Sequence, residues 1–303
     1  MKLLAITPPA FAPLERLNSI PGVELFSTDD VEVLRDRANT AEAILLAPRY
    51  GSLLTELWPE LENTQWIHSL GAGVETLPFD LLRESEIVVT NSRGLYADAL
   101  GEFAIAAMLW FTKDFRRLLR NQSARHWEPW TIERLDGKSV AIVGYGAIGK
   151  AVGRRAEALG MHVLPVRRRR ESGDLTLDAV LVDADFVVLS TPLTPHTRGL
   201  MTRERLQSMQ KTAVLINIGR GAVVDQNALT EILAARQIRG AALDVFDTEP
   251  LPAGDPVRST PNLIATPHIG YVTREAYAIF YADFVEAIEA FRAGNPIRVI
   301  EPK

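Results

Sequence analysis

Short apolar runs alternate with amphipathic stretches along the whole chain. The runs are bounded by Gly, Pro, Asp or Asn, a pattern typical of strands that are buried on both faces of a sheet. Because helical patterns separate one run from the next, we predict an α/β fold of doubly wound parallel sheets. The predicted strands span residues 3–7, 43–47, 66–70, 87–90, 140–144, 163–166, 186–190, 214–218, 241–245 and 263–266.

Two longer helical patterns flank the second series of strands. The first spans residues 97–119, and the second ends at Gly294, with Pro296 beyond it. We interpret both helices as connectors between two domains. The first domain would then be discontinuous, with residues 1–97 and 271–303, and residues 98–270 would form the second. One continuous domain with a single large sheet is the alternative.

Composition narrows the classes of partner. The 303 residues carry a net charge of −5 at pH 7, so no basic field favours nucleic acid. The chain has no cysteine, which excludes disulfides, a thiolate nucleophile and cysteine-ligated zinc, and no metal site is predicted. No apolar stretch approaches the roughly 18 residues of a membrane span. Neither a membrane segment nor a signal peptide is predicted, so the expected location is cytoplasmic.

A glycine-rich turn opens the second series of strands. Residues 139–143 form a buried run that leads directly into Gly144-Tyr145-Gly146-Ala147-Ile148-Gly149, and a helix is predicted over 150–159. The first glycine allows the tight turn, the second leaves room for a pyrophosphate, and the third lets the helix pack closely on the strand. Because another strand follows in register, we predict that these six residues bind a dinucleotide. Thr191 and Ile218, at the ends of two later strands, are further predicted cofactor contacts.

The next strand of a dinucleotide fold ends beside the adenosine ribose. An Asp or Glu at this point accepts hydrogen bonds from the ribose hydroxyls of NAD, whereas this sequence has four arginines, Arg167 to Arg170, before Glu171. Guanidinium groups bind phosphate through paired hydrogen bonds. Arg167 and Arg168 therefore predict NADP(H) as the preferred cofactor, with NAD(H) as the second choice. A solvent-exposed basic loop without a ligand is the alternative.

Charged residues follow three later strands. Arg220, Asp244 and His268 each end or follow an apolar run, and Glu249 comes shortly after Asp244. In an open parallel sheet, ligands bind at the carboxyl ends of the strands. Reduction of a 2-oxo acid by a nicotinamide needs a cation for the substrate carboxylate, a proton donor for the carbonyl oxygen and a carboxylate that favours the protonated donor. Arg220, His268 and Glu249 are the predicted catalytic residues for these roles.

The five histidines of the chain differ in their surroundings. His68 and His162 lie in or beside predicted strands, where a structural role is the usual one. His126 and His196 lie in polar segments without a carboxylate pattern nearby. His268 follows a strand on the predicted ligand edge, so it is the candidate proton donor.

At these residues the chain resembles the D-isomer-specific 2-hydroxyacid dehydrogenases over nearly its whole length. The glycine turn and the runs at 217–221, 244–250 and 266–268 stand in that family's order and spacing. The resemblance implies a flavodoxin-like substrate domain and a Rossmann coenzyme domain with a cleft between them, and a homodimer through the coenzyme domain. It implies that Arg220 binds the substrate carboxylate and that His268 is the acid/base with Glu249 as its partner. Asp244 would contact the nicotinamide carboxamide.

The same resemblance points to two loops of the first domain. Residues 68–74 would offer backbone N–H groups, among them those of Ala72 and Gly73, to the substrate carboxylate. Arg49 and Tyr50, which follow another strand, could line the same pocket. Ordinary turns without a ligand are the alternative for both loops.

The sequence departs from the family's commonest form at Arg167, where most members have an aspartate. This favours NADP(H) without changing the reaction, and it is similar to the family's NADPH-using glyoxylate and hydroxypyruvate reductases. Residues 122–130 also resemble those enzymes, and in some relatives a tryptophan of this region reaches the partner subunit's site. Trp127 and Trp130 are therefore candidates for a dimer contact, with plain packing as the alternative.

The predicted function is NADPH-dependent reduction of a small 2-oxo acid, such as glyoxylate or hydroxypyruvate, to the D-2-hydroxy acid. One alternative is another chemistry of the same family, the oxidation of phosphoglycerate or phosphite. For phosphoglycerate we would expect more basic residues near the substrate loop. The other alternative is a nicotinamide-sensing, corepressor-like protein without enzymatic activity. Such proteins generally carry long disordered flanks, which this sequence does not show.

Overall fold

The computed structural model describes residues 1–7, 17–47, 50–168 and 175–301 of the chain. The chain forms two compact units, which we call unit 1 (Met1–Leu95 and Thr273–Lys303) and unit 2 (Tyr96–Val272). Unit 1 is discontinuous in sequence because the C-terminal helix belongs to it. The units divide at residues 95 and 273, whereas the sequence placed the divisions at 97 and 271.

Strands and helices alternate through both units. The strands are β1 Lys2–Ile6, β2 Glu24–Thr28, β3 Ala43–Leu46, β4 Trp66–Ser69, β5 Val88–Asn91, β6 Ser139–Val143, β7 His162–Val166, β8 Phe186–Leu189, β9 Val214–Asn217, β10 Gly240–Leu243 and β11 Leu263–Ala265. The α-helices are α1 Val31–Ala38, α2 Leu53–Glu56, α3 Phe79–Arg83, α4 Ala97–Thr112, α5 Phe115–Ser123, α6 Ala147–Ala158, α7 Leu177–Leu181, α8 Arg203–Ser208, α9 Gln226–Ala234 and α10 Ala276–Arg292. Each predicted strand overlaps an observed one.

The sheet of unit 1 has the strand order β2-β1-β3-β4-β5, and its strands pair in parallel. This is the flavodoxin-like order of a doubly wound sheet. The C-terminal helix α10 is fixed to one face of this sheet by Phe280 and Phe284, which are fully buried among residues that include Leu3 and Trp66. Burying a side chain of this size stabilises the fold by about 1.5–3 kcal/mol. Helix α10 is therefore part of the core of unit 1.

The sheet of unit 2 has the strand order β11-β10-β9-β8-β6-β7, again with parallel pairs. Successive residues of β6 point to opposite faces, so Val140 and Ile142 contribute to one apolar core and Ala141 and Val143 to the other. Strand β6 lies between β7 and β8, so the strands that follow it in sequence are placed on both sides of it. The carboxyl ends of β6 and β8 therefore form the topological switch point, where doubly wound sheets bind ligands.

The predicted fold class, two doubly wound parallel-sheet α/β domains, is confirmed. Two elements differ from the prediction. Strand β2 was not predicted because it is a half-exposed edge strand in which Leu25 and Phe26 are the apolar residues. The helix predicted over 97–119 is divided between α4 and α5. Asp114 adopts a left-handed backbone conformation with φ of 50° and caps α5 by accepting a hydrogen bond from the backbone N–H of Arg117 at 3.2 Å.

Within the described residues, no helix combines the length and the apolar character that crossing a membrane requires.

Candidate active site

The glycine-rich turn joins β6 to α6 at the switch point of unit 2. Gly144 has a φ of +95°, a conformation that glycine adopts without strain, and its N–H donates to the carbonyl of Val166 at 2.9 Å. Helix α6 begins at Ala147 rather than at residue 150, so Gly149 lies in its first turn. A Cβ on Gly149 would overlap the carbonyl oxygen of Gly144, so the helix can pack on the turn because residue 149 has no side chain.

The turn leaves open space for a ligand at Gly146. A Cβ added there would have no protein atom within 4 Å among the described residues. Gly146 is also the N-cap of α6 and, as a glycine, has no side chain that could cap the helix. The N–H groups of Ala147 and Ile148 in the first helical turn therefore carry the partial positive charge that binds phosphate.

The end of β8 borders the same turn. The hydroxyl of Ser190 donates to the carbonyl of Gly144 at 2.7 Å, and a Cβ on Gly144 would lie 2.8 Å from Cγ2 of Thr191. The Oγ1 atom of Thr191 is buried and has no hydrogen-bond partner among the described residues. Such an unsatisfied group costs about 1–3 kcal/mol, and a polar ligand in the turn would remove that cost. Ile218, the other predicted contact at a strand end, is buried in the core that includes Ile142.

Arg167 lies directly after β7 and is half-buried. Its guanidinium carbon lies 4.7 Å from the centre of the Tyr145 ring, a cation–π contact. Arg168 is exposed. Arg169, Arg170 and Glu171, which the sequence places in the same basic run, lie outside the described residues. Arg167 thus contacts the glycine-rich turn through Tyr145.

Arg220 follows β9 in a turn that hydrogen bonds from the side chain of Asn217 stabilise. The side-chain Nδ2 of Asn217 donates to the carbonyl of Arg220 at 2.9 Å, and Oδ1 of Asn217 accepts from the N–H of Gly219 at 3.1 Å. Nη1 of Arg220 donates to the carbonyl of Gly219 at 2.7 Å. A Cβ on Gly221 would overlap the backbone of Phe246, so residue 221 has to be glycine for β9 and β10 to end side by side. The half-buried guanidinium at this strand end is suited to bind a carboxylate.

His268 and Glu249 are hydrogen-bonded to each other. Nδ1 of His268 lies 2.7 Å from Oε2 of Glu249, and Oε1 of Glu249 accepts from the backbone N–H of Phe246 at 2.9 Å. Burial raises the pKa of Glu249, but the hydrogen bonds from His268 and Phe246, together with the charges of His268 and Arg220, outweigh burial, so the pKa lies below its usual value. The carboxylate therefore stabilises a protonated imidazole. Because Nδ1 is bound to Glu249, Nε2 is the atom that can exchange a proton with a ligand.

The loop that carries His268 is held by Asp244, which is 1% exposed. Oδ1 of Asp244 accepts from the hydroxyl of Thr266 at 2.7 Å and from the N–H of Ile269 at 2.9 Å, and Oδ2 accepts from the N–H of Gly270 at 2.8 Å. His268 itself adopts a φ of 56°, which is uncommon for a residue other than glycine. The sequence did not indicate this positioning role, because the hydrogen bonds depend on the shape of the loop. Contact of Asp244 with the nicotinamide carboxamide stays a prediction.

Comparison with known proteins identifies the family. The family model for the NAD-binding domain of D-isomer specific 2-hydroxyacid dehydrogenases matches residues 105–270. The chain is 32% identical over 290 residues to the glycerate dehydrogenase of Methylorubrum extorquens, which covers 92% of this chain and 91% of that one. The chain belongs to the D-isomer specific 2-hydroxyacid dehydrogenase family.

Two further comparisons extend over most of this 2-hydroxyacid dehydrogenase. It is 35% identical over 241 residues to glyoxylate/hydroxypyruvate reductase B of Pectobacterium carotovorum, with 75% of each chain covered. The solved structure of a D-isomer specific 2-hydroxyacid dehydrogenase family protein from Aeromonas salmonicida matches with a TM-score of 0.86 at 26% identity. That match covers 100% of this chain and 99% of the other.

As a 2-hydroxyacid dehydrogenase, the protein is an enzyme that uses a nicotinamide cofactor and acts on a small 2-oxo or 2-hydroxy acid. The residues of unit 2 fit a dinucleotide. The open space at Gly146 lies at the N-terminus of α6, and the buried Oγ1 of Thr191 offers a hydrogen-bonding group beside the same turn. These features suit a pyrophosphate next to polar groups of the cofactor.

The predicted substrate loops lie in unit 1. Ala72 is exposed, Gly73 is half-exposed, and the carbonyl of Ala72 accepts from Nδ2 of Asn91 at 2.7 Å. The hydroxyl of Tyr50 donates to Oδ2 of Asp29 at 2.8 Å, a contact that the sequence did not indicate. Arg49 lies outside the described residues. Substrate binding by these loops stays a prediction.

The remaining candidates divide into packed and exposed residues. His68 is buried and hydrogen-bonded to the hydroxyls of Thr90 and Ser92, at 2.8 and 3.1 Å, so its predicted structural role is confirmed. Trp130 is half-buried beneath the guanidinium of Arg117, whose carbon lies 5.1 Å from the ring centre, whereas the side chain of Trp127 is 99% exposed.

His126 has a carboxylate nearby, contrary to the prediction from the sequence. Nε2 of His126 lies 3.6 Å from the carboxylate of Glu128, which is two residues further along the chain.

Proposed function

We propose that this 2-hydroxyacid dehydrogenase reduces a small 2-oxo acid to the D-2-hydroxy acid with NADPH, and that glyoxylate and hydroxypyruvate are the first substrates to test. The observation that carries the proposal is the 2.7 Å hydrogen bond between His268 and Glu249. It provides a proton donor whose charged form is stabilised at the end of the sheet. Two relatives, a glyoxylate/hydroxypyruvate reductase and a glycerate dehydrogenase, support the substrate class.

Arg220 would bind and orient the substrate. Its planar guanidinium can form two parallel hydrogen bonds to the carboxylate of a 2-oxo acid. The hydrogen bonds that Asn217 makes to Gly219 and Arg220 fix the backbone on both sides of this residue. A substrate held in this way loses its orientational freedom before the reaction begins.

His268 would supply the proton. In the reduction, a hydride adds to the carbonyl carbon, and Nε2 of protonated His268 transfers its proton to the carbonyl oxygen. The nicotinamide, when bound, provides the hydride. Glu249 stays ionised, holds Nδ1 and stabilises the imidazolium from which the proton leaves. In the reverse direction, the neutral imidazole accepts the proton of the hydroxyl group.

Arg167 supports the preference for NADPH. It follows the strand whose end lies next to the adenosine ribose in dinucleotide folds, and it brings a cation to the place where an acidic residue would repel a 2′-phosphate. A guanidinium binds phosphate with shorter and stronger hydrogen bonds than a neutral donor makes. Arg168 adds a second, exposed positive charge.

We also propose a homodimer that forms through unit 2. Residues 115–132 of this unit expose an unusual number of large apolar side chains: Phe115 at 37%, Leu118 at 39%, Leu119 at 49%, Trp127 at 99% and Ile132 at 50%. Exposed apolar surface concentrated in one stretch is typical of a protein interface. Light scattering after size exclusion would give the mass of a dimer for the natural chain and of a monomer for Leu119→Glu.

A panel of 2-oxo acids assayed with NADPH and NADH in parallel tests the function. We expect the highest kcat/KM for a short 2-oxo acid with NADPH. A protein that binds NADPH but oxidises it with no member of the panel would contradict the proposal.

A further inference from the structure

Tyr145 and Arg167 are brought together by the backbone. Strands β6 and β7 pair in parallel with Val143 opposite Val166, and the N–H of Gly144 donates to the carbonyl of Val166 at 2.9 Å. Arg167 lies one residue beyond this pair and Tyr145 two residues beyond it, so the two residues are neighbours. Their side chains form a cation–π contact, with 4.7 Å between the guanidinium carbon and the ring centre.

The ring of Tyr145 occupies a notch in α6. The notch exists because residue 153 is glycine: a Cβ there would lie 2.6 Å from the hydroxyl oxygen of Tyr145 and 3.2 Å from its Cε2 atom. Glycine inside a helix is less favourable than alanine. Gly153 is buried in the middle of α6, and the ring of Tyr145 fills the space that the missing side chain leaves. The contact with Gly153 of α6 thus fixes the position of the ring.

A cation–π contact acts on the charge of the guanidinium and does not itself need its N–H donors, and it is these donors that bind a phosphate. Burial, with the charge of Glu157, raises the pKa of Tyr145, so the phenol is neutral and offers its ring face. An arginine side chain loses rotamer entropy when a ligand fixes it, and a side chain that is already held loses less on binding.

We propose that Tyr145 is a positioning residue for cofactor specificity: its ring, seated on Gly153, holds Arg167 where the guanidinium edge meets the 2′-phosphate of NADP(H). This inference rests on the proposed preference for NADPH. It adds that the preference comes from a three-residue unit, with the arginine as the binding group, the tyrosine as its platform and the glycine as the space for the platform.

Calorimetric titration with NADPH and with NADH tests the role of Tyr145 without any turnover. Tyr145→Leu removes the aromatic face, and Tyr145→Phe keeps it as the matched control. We expect Tyr145→Leu to raise the Kd for NADPH by about 3- to 30-fold, the range of a cation–π contact. The Kd for NADH should stay within about twofold, and Tyr145→Phe should match the natural chain in both.

Gly153→Ala tests whether the space at residue 153 is needed for the position of the Tyr145 ring. Its methyl group would push the ring away while leaving both Tyr145 and Arg167 in place, so we expect the same selective loss of NADPH affinity. Equal weakening of NADPH and NADH by Tyr145→Leu would overturn the inference, because it would show that the ring supports the glycine turn alone. So would an unchanged NADPH affinity in both variants.

Arg167→Ser separates this inference from the proposed cofactor preference. If Arg167→Ser abolishes the preference for NADPH and Tyr145→Leu leaves it intact, the positioning role is wrong and the proposed function stands. If the natural chain binds NADH more tightly than NADPH, the proposed preference itself is wrong.

Discussion

The carboxylate of Asp244 lies 2.8 Å from the backbone nitrogen of Gly270, and through this hydrogen bond the end of β10 holds the loop that carries His268. The other carboxylate oxygen accepts from Ile269 and Thr266, so Asp244 contacts the loop on both sides of the histidine. Hydrogen bonds to an ionised acceptor are roughly twice as strong as those between neutral groups. The geometry of His268 therefore depends on a residue that need not touch the substrate.

Asp244→Asn tests this dependence. The amide NH₂ group of asparagine would face an N–H donor that now bonds to a carboxylate oxygen, so we expect a loss of about 2 kcal/mol in the free energy of unfolding. We also expect a fall in kcat, because His268 would no longer be held. Urea unfolding and steady-state kinetics measure the two effects. Asp247→Asn, at an exposed position in the same segment, is the matched control. If Asp244→Asn keeps the natural stability and kcat, the positioning role of Asp244 is excluded.

His268→Gln tests the proton donor. Glutamine can keep a hydrogen bond to Glu249 but cannot transfer a proton, so we expect kcat to fall by about 10²- to 10⁴-fold with little change in cofactor affinity. The comparison is His162→Gln, on an exposed edge of β7, which should keep natural turnover. Retention of most of the turnover by His268→Gln would exclude this histidine from the mechanism.

Glu249→Gln tests the electrostatic coupling. Since the pKa of Glu249 is lowered, the carboxylate is charged at neutral pH and favours protonated His268. Without that charge, the imidazolium loses an ionised hydrogen-bond partner, so kcat for reduction should fall by about 10- to 100-fold, the range of a hydrogen bond to a charged group. Steady-state kinetics of both proteins at neutral pH measure the change. A natural kcat in Glu249→Gln would show that the two residues are not coupled in catalysis.

Arg167→Asp tests the origin of the cofactor preference. The carboxylate would repel a 2′-phosphate and could accept hydrogen bonds from the ribose hydroxyls of NADH, so the ratio of kcat/KM for NADPH to that for NADH should invert. Arg236→Asp, at an exposed position of unit 2, makes the same change of charge away from the turn and should leave the ratio unaltered. An unchanged ratio in Arg167→Asp would contradict the role of Arg167.

The buried histidine of unit 1 gives a prediction about stability. Burial, with a further effect of the Arg298 charge, lowers the pKa of His68 from 6.5 to about 3. Between these two pH values the unfolded chain binds a proton that the folded chain does not, so the contribution is fully present above pH 6.5 and is lost as the pH falls. The loss amounts to about 1.4 kcal/mol per pH unit. Urea unfolding at several pH values should show a flatter dependence for His68→Gln, and equal slopes would exclude His68 as the titrating group.

Much of this architecture could be predicted because it depends on buried runs and on short-range patterns. Strands such as β6 and β9 are apolar at all positions but one, and glycines at fixed spacing mark the turn after β6. Parallel strands bring their carboxyl ends to one edge, and this is why His268 and Glu249, 19 positions apart, come within hydrogen-bond distance.

The features that the sequence did not predict depend on backbone shape or on contacts between distant segments. The break between α4 and α5 follows from the left-handed conformation of Asp114. An aspartate also fits within a continuous helical pattern, so the sequence did not indicate this break. The hydrogen bonds of Asp244 require the turn at His268, and the seat of Tyr145 requires a glycine two helical turns away. The hydrogen bond from Tyr50 to Asp29 joins two segments that are 21 positions apart, and no local sequence pattern predicts this contact.

Steady-state rates with glyoxylate, hydroxypyruvate and a series of larger 2-oxo acids, each with NADPH and with NADH, decide whether this protein is an NADPH-dependent 2-oxo acid reductase. We expect D-2-hydroxy acid as the product, the highest kcat/KM for a short 2-oxo acid, and a preference for NADPH that Arg167→Asp reverses. Tight binding of NADPH without its oxidation by any 2-oxo acid, or a clear preference for NADH in the natural chain, would contradict this expectation.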